Sequence, residues 1–253
     1  MTYEEFLQLT EKNLKRFFPE SFQERKVEIR EVLKNNNIKL QGVYLSGSPS
    51  YTSVPLLYLE SYYQELENGK KLEDVWQNIA RDYQKCQETA ITIDGISSKE
   101  WDYETIKKGL TVYVRNAQEN VDFLADCPHE IREDLALVYG FHVLVDGEKD
   151  GSAIINYDRL KWLGVSEEQL KQDAWENMKQ SNPPCFLDLQ DMLAKMYFDE
   201  PGDVKAGSLE HLEDVDPNAM MYVLTNSNQV NGAVYMCDEE VMSLIAEKLG
   251  SDL

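Results

Sequence analysis

The sequence predicts an α+β fold in which antiparallel or mixed sheets pack against amphipathic helices. Three patterns carry that prediction. Leu72, Val75, Trp76, Ile79, Ala80 and Tyr83 recur at steps of three and four residues, which places them on one stripe of a helix. Leu135 to Val145 is a dense apolar run of strand character. Turn-forming segments, Asn35-Asn36-Asn37 and Asp146 to Gly151, each separate two stretches of strand spacing, so hairpins are expected around both.

The elements follow in order. Thr2 is placed to cap a first helix, with Glu5 three residues on in the capping-box position, and Pro19 stops it. Val27, Ile29 and Glu31 alternate as on a strand, and Leu40 to Leu45 is the returning arm. Gly47 to Ser53 is a Gly/Ser/Pro loop; Val54 to Leu59 is a short strand leading into a helix through Tyr62, Tyr63 and Leu66 that closes at Asn68-Gly69. The long helix over Leu72–Tyr83 comes next, then a polar connection over 94–103. Tyr103 to Lys108 is helical, Leu110 to Val114 a strand, and Ala117 to Ala125 a helix ending near Cys127-Pro128. The apolar strand from Leu135 turns at Asp146–Gly151 and pairs with Ser152–Tyr157. Ser166, with Gln169, caps a helix striped by Leu170, Ala174, Trp175 and Met178 and ended by Asn182-Pro183-Pro184. Leu189 to Tyr197 is a short helix. Met220–Thr225 and Gly232–Met236 are read as a hairpin, and Asp238 caps a last helix through Val241, Leu244, Ile245 and Leu249.

At 253 residues the chain is long enough for one core, read here as a single α+β unit over 1–253 divisible into subdomains 1–93 and 104–253. Its flexible acidic segment is 199–217, which holds seven acids against one lysine. The formal net charge is -21, and residues 182–253 carry 14 acids but 3 bases. Such a field repels phosphate backbones, so direct nucleic-acid binding is not expected. No apolar run is long enough for a membrane span and no secretory signal opens the chain, which points to a cytoplasmic protein. Cys86, Cys127, Cys185 and Cys237 are widely spaced without a CxxC pair, and reduced thiols are expected.

Candidate chemistry is sparse. His129 lies in His129-Glu130-Ile131-Arg132-Glu133, where a zinc-protease helix would need a second histidine in place of Glu133; a cap or turn role is preferred. His142 reads as a sheet histidine, and His211 stands alone among acids. Cys127 and His129 invite a thiol–imidazole reading, which Pro128 between them distorts. Asp146 to Gly151 imitates a calcium loop until the twelfth position, Tyr157, where a bidentate glutamate is needed. Phosphate-binding glycine motifs are missing, so no cofactor and no metal is expected. Fourteen tyrosines, clustered at Tyr58, Tyr62 and Tyr63, suit an interface or half-buried helix faces.

Asn35-Asn36-Asn37 through Gly42, Pro55 to Leu59 and Tyr62-Tyr63 to Gly69 resemble the opening of the DUF5688 family, bacterial proteins of unknown function found mainly in gut Firmicutes. The resemblance continues through Cys127-Pro128-His129, Asp134 to Tyr139, Gly151 to Asn156, Leu160 to Val165, Ala174 with Glu176-Asn177, and Met221 to Asn226, spanning most of residues 30–249. Trp162, Gly164, Ala174 and Asn177, with the later Tyr222 to Asn226, also resemble, more distantly, the DUF1444 group. Members of these groups often carry a leucine-proline-serine-serine segment after the final helix that does not appear before Leu253. The resemblance supplies no reaction. It singles out His129, Trp162, Asn177 and Asn226 as motif positions. Trp162 is expected to anchor the segment before helix 166–182, Gly164 to permit a turn, and Asn226 with Thr225 to open a hairpin and satisfy backbone groups.

These observations lead first to a non-enzymatic, cytoplasmic protein-binding or adaptor module with a protein partner. Two alternatives stay open: a hydrolase joining His129 to Cys127 or to Glu130 and Asp134, and an acidic mimic of nucleic acid that binds a basic protein. Oligomeric state is left open.

Overall fold

Helix α1 (Tyr3–Asn13) begins with the expected capping box: Glu5 N donates to Thr2 Oγ1 at 3.2 Å and Thr2 N to Glu5 Oε2 at 2.9 Å. The structure, a computed structural model, describes residues 1–47, 55–89, 91–98, 100–147, 149–190, 192–193, 215, 221–228 and 230–250. The chain divides into two units. One comprises Met1–Thr105, Glu119–Ala125 and Val143–Gly151, the other Ile106–Gln118, Asp126–His142 and Ser152–Leu253.

In the first unit, β1 (Lys26–Leu33) and β2 (Lys39–Ser46) form the expected antiparallel hairpin, with Val27 opposite Leu45 and Ile29 opposite Val43. Its turn uses Asn36 and Asn37 at φ 59° and 52°, a left-handed conformation that asparagine tolerates better than most residues. Asn120 supports it, accepting from Asn36 N at 2.7 Å. A short β3 (Leu57–Tyr58) adds to β2 and leads into α2 (Glu60–Glu67). The stripe of α3 (Leu72–Glu88) is buried as its periodicity requires: Val75, Trp76, Ile79, Ala80 and Tyr83 meet Phe6, Leu14, Phe18, Val43, Leu45 and Leu59. Two polar contacts lie inside this core: Trp76 donates to Thr10 Oγ1 at 2.9 Å and Leu45 N donates to the Tyr83 hydroxyl at 3.0 Å. The loop expected over Gly47–Ser53 lies, after Gly47, outside the described residues.

The expected polar connection over 94–103 is instead opened by a hairpin of β4 (Ile91–Ile93) and β5 (Ile96–Ser97). Asp94 and Gly95 stand at φ 50° and 76°, the paired positive values of a tight hairpin turn. Asp-Gly between isoleucines is a stronger instruction than the polarity of the residues that follow it.

Helix α4 (Tyr103–Lys107) leads into the second unit, where β6 (Leu110–Asn116) pairs antiparallel with β8 (Leu135–Val145), whose residues up to His142 belong to that unit, Leu110 opposite Phe141 and Asn116 opposite Leu135. Residues 118–120 form a 3-10 turn and α5 (Val121–Leu124) follows, within the first unit. The other edge of β8 receives β7 (His129–Arg132), a strand in place of the cap or turn expected at His129. Two residues, Glu133 and Asp134, close it, with Glu133 at φ 54°. After the turn at Asp146-Gly147, β9 (Lys149–Ile154) pairs with β8 and ends earlier than expected, because Asn156 caps α6 (Tyr157–Leu163) through Arg159 N at 3.0 Å. Gly164 closes that helix at φ 70°.

Ser166 caps α7 (Glu167–Ser181), and Leu170, Ala174 and Met178 are buried. The chain continues into β10 (Pro184–Asp188), whose partner is β11 (Tyr222–Asn226), Pro184 opposite Asn226. This corrects the expected second hairpin: Gly232–Cys237 is a 3-10 helix and not the partner of β11. Asn231 at φ 65° turns the chain, and Gly232 lies so close to β11 that a Cβ would stand 2.3 Å from Thr225 Cα. Asp238 then caps α8 (Glu239–Leu249) as expected. Of the helix read over Leu189–Tyr197, residues 189–190 and 192–193 are helical and the rest lies outside the described residues, as does segment 199–217 apart from the buried Val215.

Because Gly232 abuts backbone, Gly232→Ala is expected to cost about 2–3 kcal/mol or more of unfolding free energy by overpacking. Gly164→Ala, with open space around it and only the positive φ to strain it, is expected to cost about 1 kcal/mol. Urea unfolding of the two variants side by side checks the ranking, and equal losses would argue against the close approach.

Candidate functional site

In an antiparallel ladder the backbone groups of alternate residues point to opposite edges of the strand. His142 N donates to Gly109 O at 2.8 Å and Ala117 N to Asp134 O at 2.8 Å, so the odd-numbered residues of β6 face β8. The carbonyls of residues 108, 110, 112 and 114 therefore face away from it. Each is met by a side chain of the same unit. Asn177 Nδ2, on α7, donates to Lys108 O at 3.2 Å and to Leu110 O at 2.8 Å. Asn231 Nδ2 donates to Val112 O at 2.5 Å, and Arg115 Nη1 to Val114 O at 3.0 Å. A row of carbonyls that would otherwise stand unpaired on a strand edge is closed by carboxamides and one guanidinium.

The same logic runs on the opposite edge of β8. Tyr139 O accepts from Ile155 N at 2.9 Å, so the odd-numbered residues of β8 face β7 and β9. Glu130, opposite Leu137, and Arg132, opposite Leu135, then make the ladder bonds, while His129 and Ile131 turn their backbone groups outward. His129 Nδ1 stands 2.9 Å from Cys127 O and, in the tautomer protonated there, donates to it. The imidazole thus closes an outward carbonyl just as Asn177 does.

This geometry bears on the thiol–imidazole reading. The ring nitrogen nearest Cys127 addresses its carbonyl oxygen, not its sulfur. The side chain is 2% exposed, and burial, reinforced by Asp126 and opposed by Arg115, pushes the thiol up to about 11. At neutral pH the sulfur is protonated, the opposite of what a nucleophile needs. No disulfide joins Cys86, Cys127, Cys185 or Cys237.

Asn226 is 1% exposed and closes its own loop, donating from Nδ2 to Val230 O at 2.6 Å and accepting from Val230 N at 3.1 Å. It does satisfy backbone groups, at the end of β11 rather than inside the expected hairpin. Asn182, read from sequence only as a helix stop, accepts from Ser227 Oγ at 2.9 Å and Asn228 N at 3.0 Å. Asn182, Asn231 and Arg115 are the residues sequence reasoning missed. The signal for the two asparagines, their place beside proline and glycine at element ends, is present in the sequence but does not identify the groups they meet; Arg115, inside β6, carries no such signal.

Trp162 departs from its expected role. It is 56% exposed on the outer side of α6, and among the described residues its indole makes no hydrogen bond and no ring contact. The segment is anchored instead by Leu160, with Arg159 lying over the Phe141 ring at 5.4 Å.

Charged groups gather where β7 meets α7 and α8. Glu130 takes Arg132 Nε at 2.7 Å and Lys171 Nζ; burial pulls its carboxyl upward, and the two cations hold it below the usual range nonetheless. Lys179 bridges Asp238 at 2.8 Å and Glu240 at 3.2 Å, and Lys107 meets the buried Asp173 at 2.7 Å. Among the described residues no three His, Cys, Asp or Glu side chains are grouped to hold a metal, and no helix is long and apolar enough to cross a membrane. His142 is exposed beside the Tyr113 ring, and His211 lies outside the described residues. The tyrosine cluster is spent inside the first unit: Tyr62 donates to Asp82 at 3.0 Å, Tyr63 to Met1 O at 2.8 Å, and Lys34 covers the Tyr58 ring at 4.6 Å.

A family model described as "Family of unknown function (DUF5688)" matches residues 3–253. Neither the curated proteins nor the solved structures contain a match.

Removing Asn177 strips the donor from two outward carbonyls at once. Asn177→Ala is expected to lower unfolding free energy by about 1–3 kcal/mol, the cost of leaving polar backbone groups unmet. Chemical denaturation reads this directly, and a change within about 0.5 kcal/mol, usual for an ordinary surface position, would contradict the role.

Proposed function

Because the chain belongs to the DUF5688 family, which is defined without an activity, we propose from its geometry that it is a non-enzymatic protein-binding module of the bacterial cytoplasm that engages a protein partner through Trp162. The distant kinship with DUF1444 belongs to the same proposal and rests on the shared motif around Trp162 and Asn177. One observation carries the reading: an indole 56% exposed on a helix that is already capped at both ends and anchored without it. Tryptophan is large and apolar, and burying such a side chain is worth about 2–3 kcal/mol. It is also among the residue types most enriched at the energetic centres of protein interfaces.

Elimination supports the choice. Of the four motif positions, His129, Asn177 and Asn226 are each committed to backbone groups of their own unit. The other tryptophans are occupied as well: Trp76 is buried against Thr10, Trp101 donates to Ile96 O, and Trp175 is half-buried on α7. Around Trp162, Tyr157, Asp158 and Lys161 are exposed and offer a mixed polar rim. A hydrolase site at Cys127 and His129 is disfavoured by the protonated thiol and the backbone-bound ring. The mimic of nucleic acid depends on acids in 182–253, many of which lie outside the described residues.

Site-directed photo-crosslinking in the source cells tests the proposal. A benzophenone side chain at position 162 is expected to yield one dominant adduct that the same group at Glu11 does not. The partner, identified by mass spectrometry and purified, is expected to bind Trp162→Ala at least about tenfold more weakly, a loss of about 1.4 kcal/mol. Stability of that variant should stay within about 0.5 kcal/mol. Equal crosslinking at both positions, or unchanged affinity in the variant, would remove Trp162 from recognition.

A further inference from the structure

β7 leaves one edge open. Glu130 and Arg132 direct their backbone groups to β8, His129 and Ile131 direct theirs away, and among the described residues β8 is the only strand paired with β7. Cys127 O, the preceding outward carbonyl, is closed by the His129 ring. What remains open is a short stretch centred on Ile131, an apolar β-branched side chain 51% exposed, with Arg132, Glu133 and Asp134 exposed beside it. An unpaired edge carrying an exposed isoleucine is a template for another strand.

The sequence of that edge identifies the strand that fits. Laid antiparallel on itself about Ile131, Glu130-Ile131-Arg132 sets Arg132 opposite Glu130 and isoleucine opposite isoleucine. Each glutamate meets an arginine, and each copy covers the other's exposed isoleucine. Opposite charges and β-branched pairs directly across a ladder stabilise it, whereas like charges would oppose it. The two central residues would exchange both N–H···O bonds, since both point outward. We propose that the open edge of β7 pairs with β7 of a second copy of this chain, antiparallel and two-fold symmetric about Ile131. A two-fold axis makes the contact self-limiting, so it closes as a dimer and does not propagate into a fibre. With so few residues available, association is weak, reversible and concentration-dependent.

Sedimentation velocity of the full chain over roughly a hundredfold range of concentration reads the association. The wild type is expected to move from monomer toward dimer mass as concentration rises. Ile131→Pro removes an outward N–H that the β7–β8 ladder does not use, and proline is tolerated at such an edge position. It is expected to weaken dimerisation at least about tenfold, with circular dichroism unchanged. Should Ile131→Pro perturb the fold, Arg132→Glu decides, because it sets Glu130 against an acid across the two-fold axis and is expected to give a comparable loss. A wild type that stays monomeric at every concentration overturns the proposal, as do single variants that dimerise like the wild type.

Discussion

Backbone hydrogen bonds alternate in direction along β8, and the strands beside it inherit the consequence. Half of the polar groups on β6 and β7 are satisfied by β8; the other half face away and need another partner or water. A carbonyl or N–H left buried and unmet costs about 1–3 kcal/mol, a large share of the stability of a small domain. The second unit meets this constraint with side chains. Asn177, Asn231 and Arg115 close the outer carbonyls of β6, and His129 closes the carbonyl of Cys127 beside β7. Asparagine suits this work because its short carboxamide presents two donors and an acceptor with little side-chain entropy to lose. The ends of α7 and β11 are held the same way, by Asn182 and Asn226.

That division of labour changes what the residues mean for function. Histidine and asparagine at motif positions invite catalytic interpretation, yet here His129 Nδ1, Asn177 Nδ2 and both carboxamide atoms of Asn226 are bonded to backbone of the same unit. Of the tyrosines, whose number first pointed toward an interface, Tyr62, Tyr3 and Tyr63 have hydroxyls bonded to Asp82, Glu60 and Met1 O within the first unit. Burial of the Cys127 thiol further removes the most reactive candidate from chemistry at neutral pH. Among the exposed apolar side chains are Trp162 on α6 and Ile131 on β7. Recognition by contact, not group transfer, is the chemistry such residues offer.

The parts of this fold legible in the sequence are those fixed by neighbours a few residues away. Capping boxes and caps at Thr2, Ser166 and Asp238, the stripe of α3 and the asparagine turn between β1 and β2 all depend on short-range chemistry. The failures depend on distant partners or on elements too short for periodicity. β7 has four residues and α6 seven, less than the window in which a repeat becomes visible. β11 was given the nearest downstream segment as partner, whereas β10, on the far side of segment 189–221, takes that place. At the candidate site the difference is sharper. Asn177 reaches carbonyls 67 and 69 residues away, and the exposure of Trp162 follows from Leu160 and Arg159 doing the anchoring instead. Residue type at these positions was readable, but the atoms they meet were not.

The most direct test of the account is the pattern of amide hydrogen exchange along β7, followed by NMR at a dilution where the chain is monomeric. The register requires slow exchange at Glu130 and Arg132, which bond to β8, and fast exchange at Ile131 between them. The opposite pattern, with Ile131 protected and its neighbours open, would mean a ladder slipped by one residue. The groups of Cys127, His129 and Ile131 that face away from β8 would then face it, and the roles given to His129 and Ile131 would fall together.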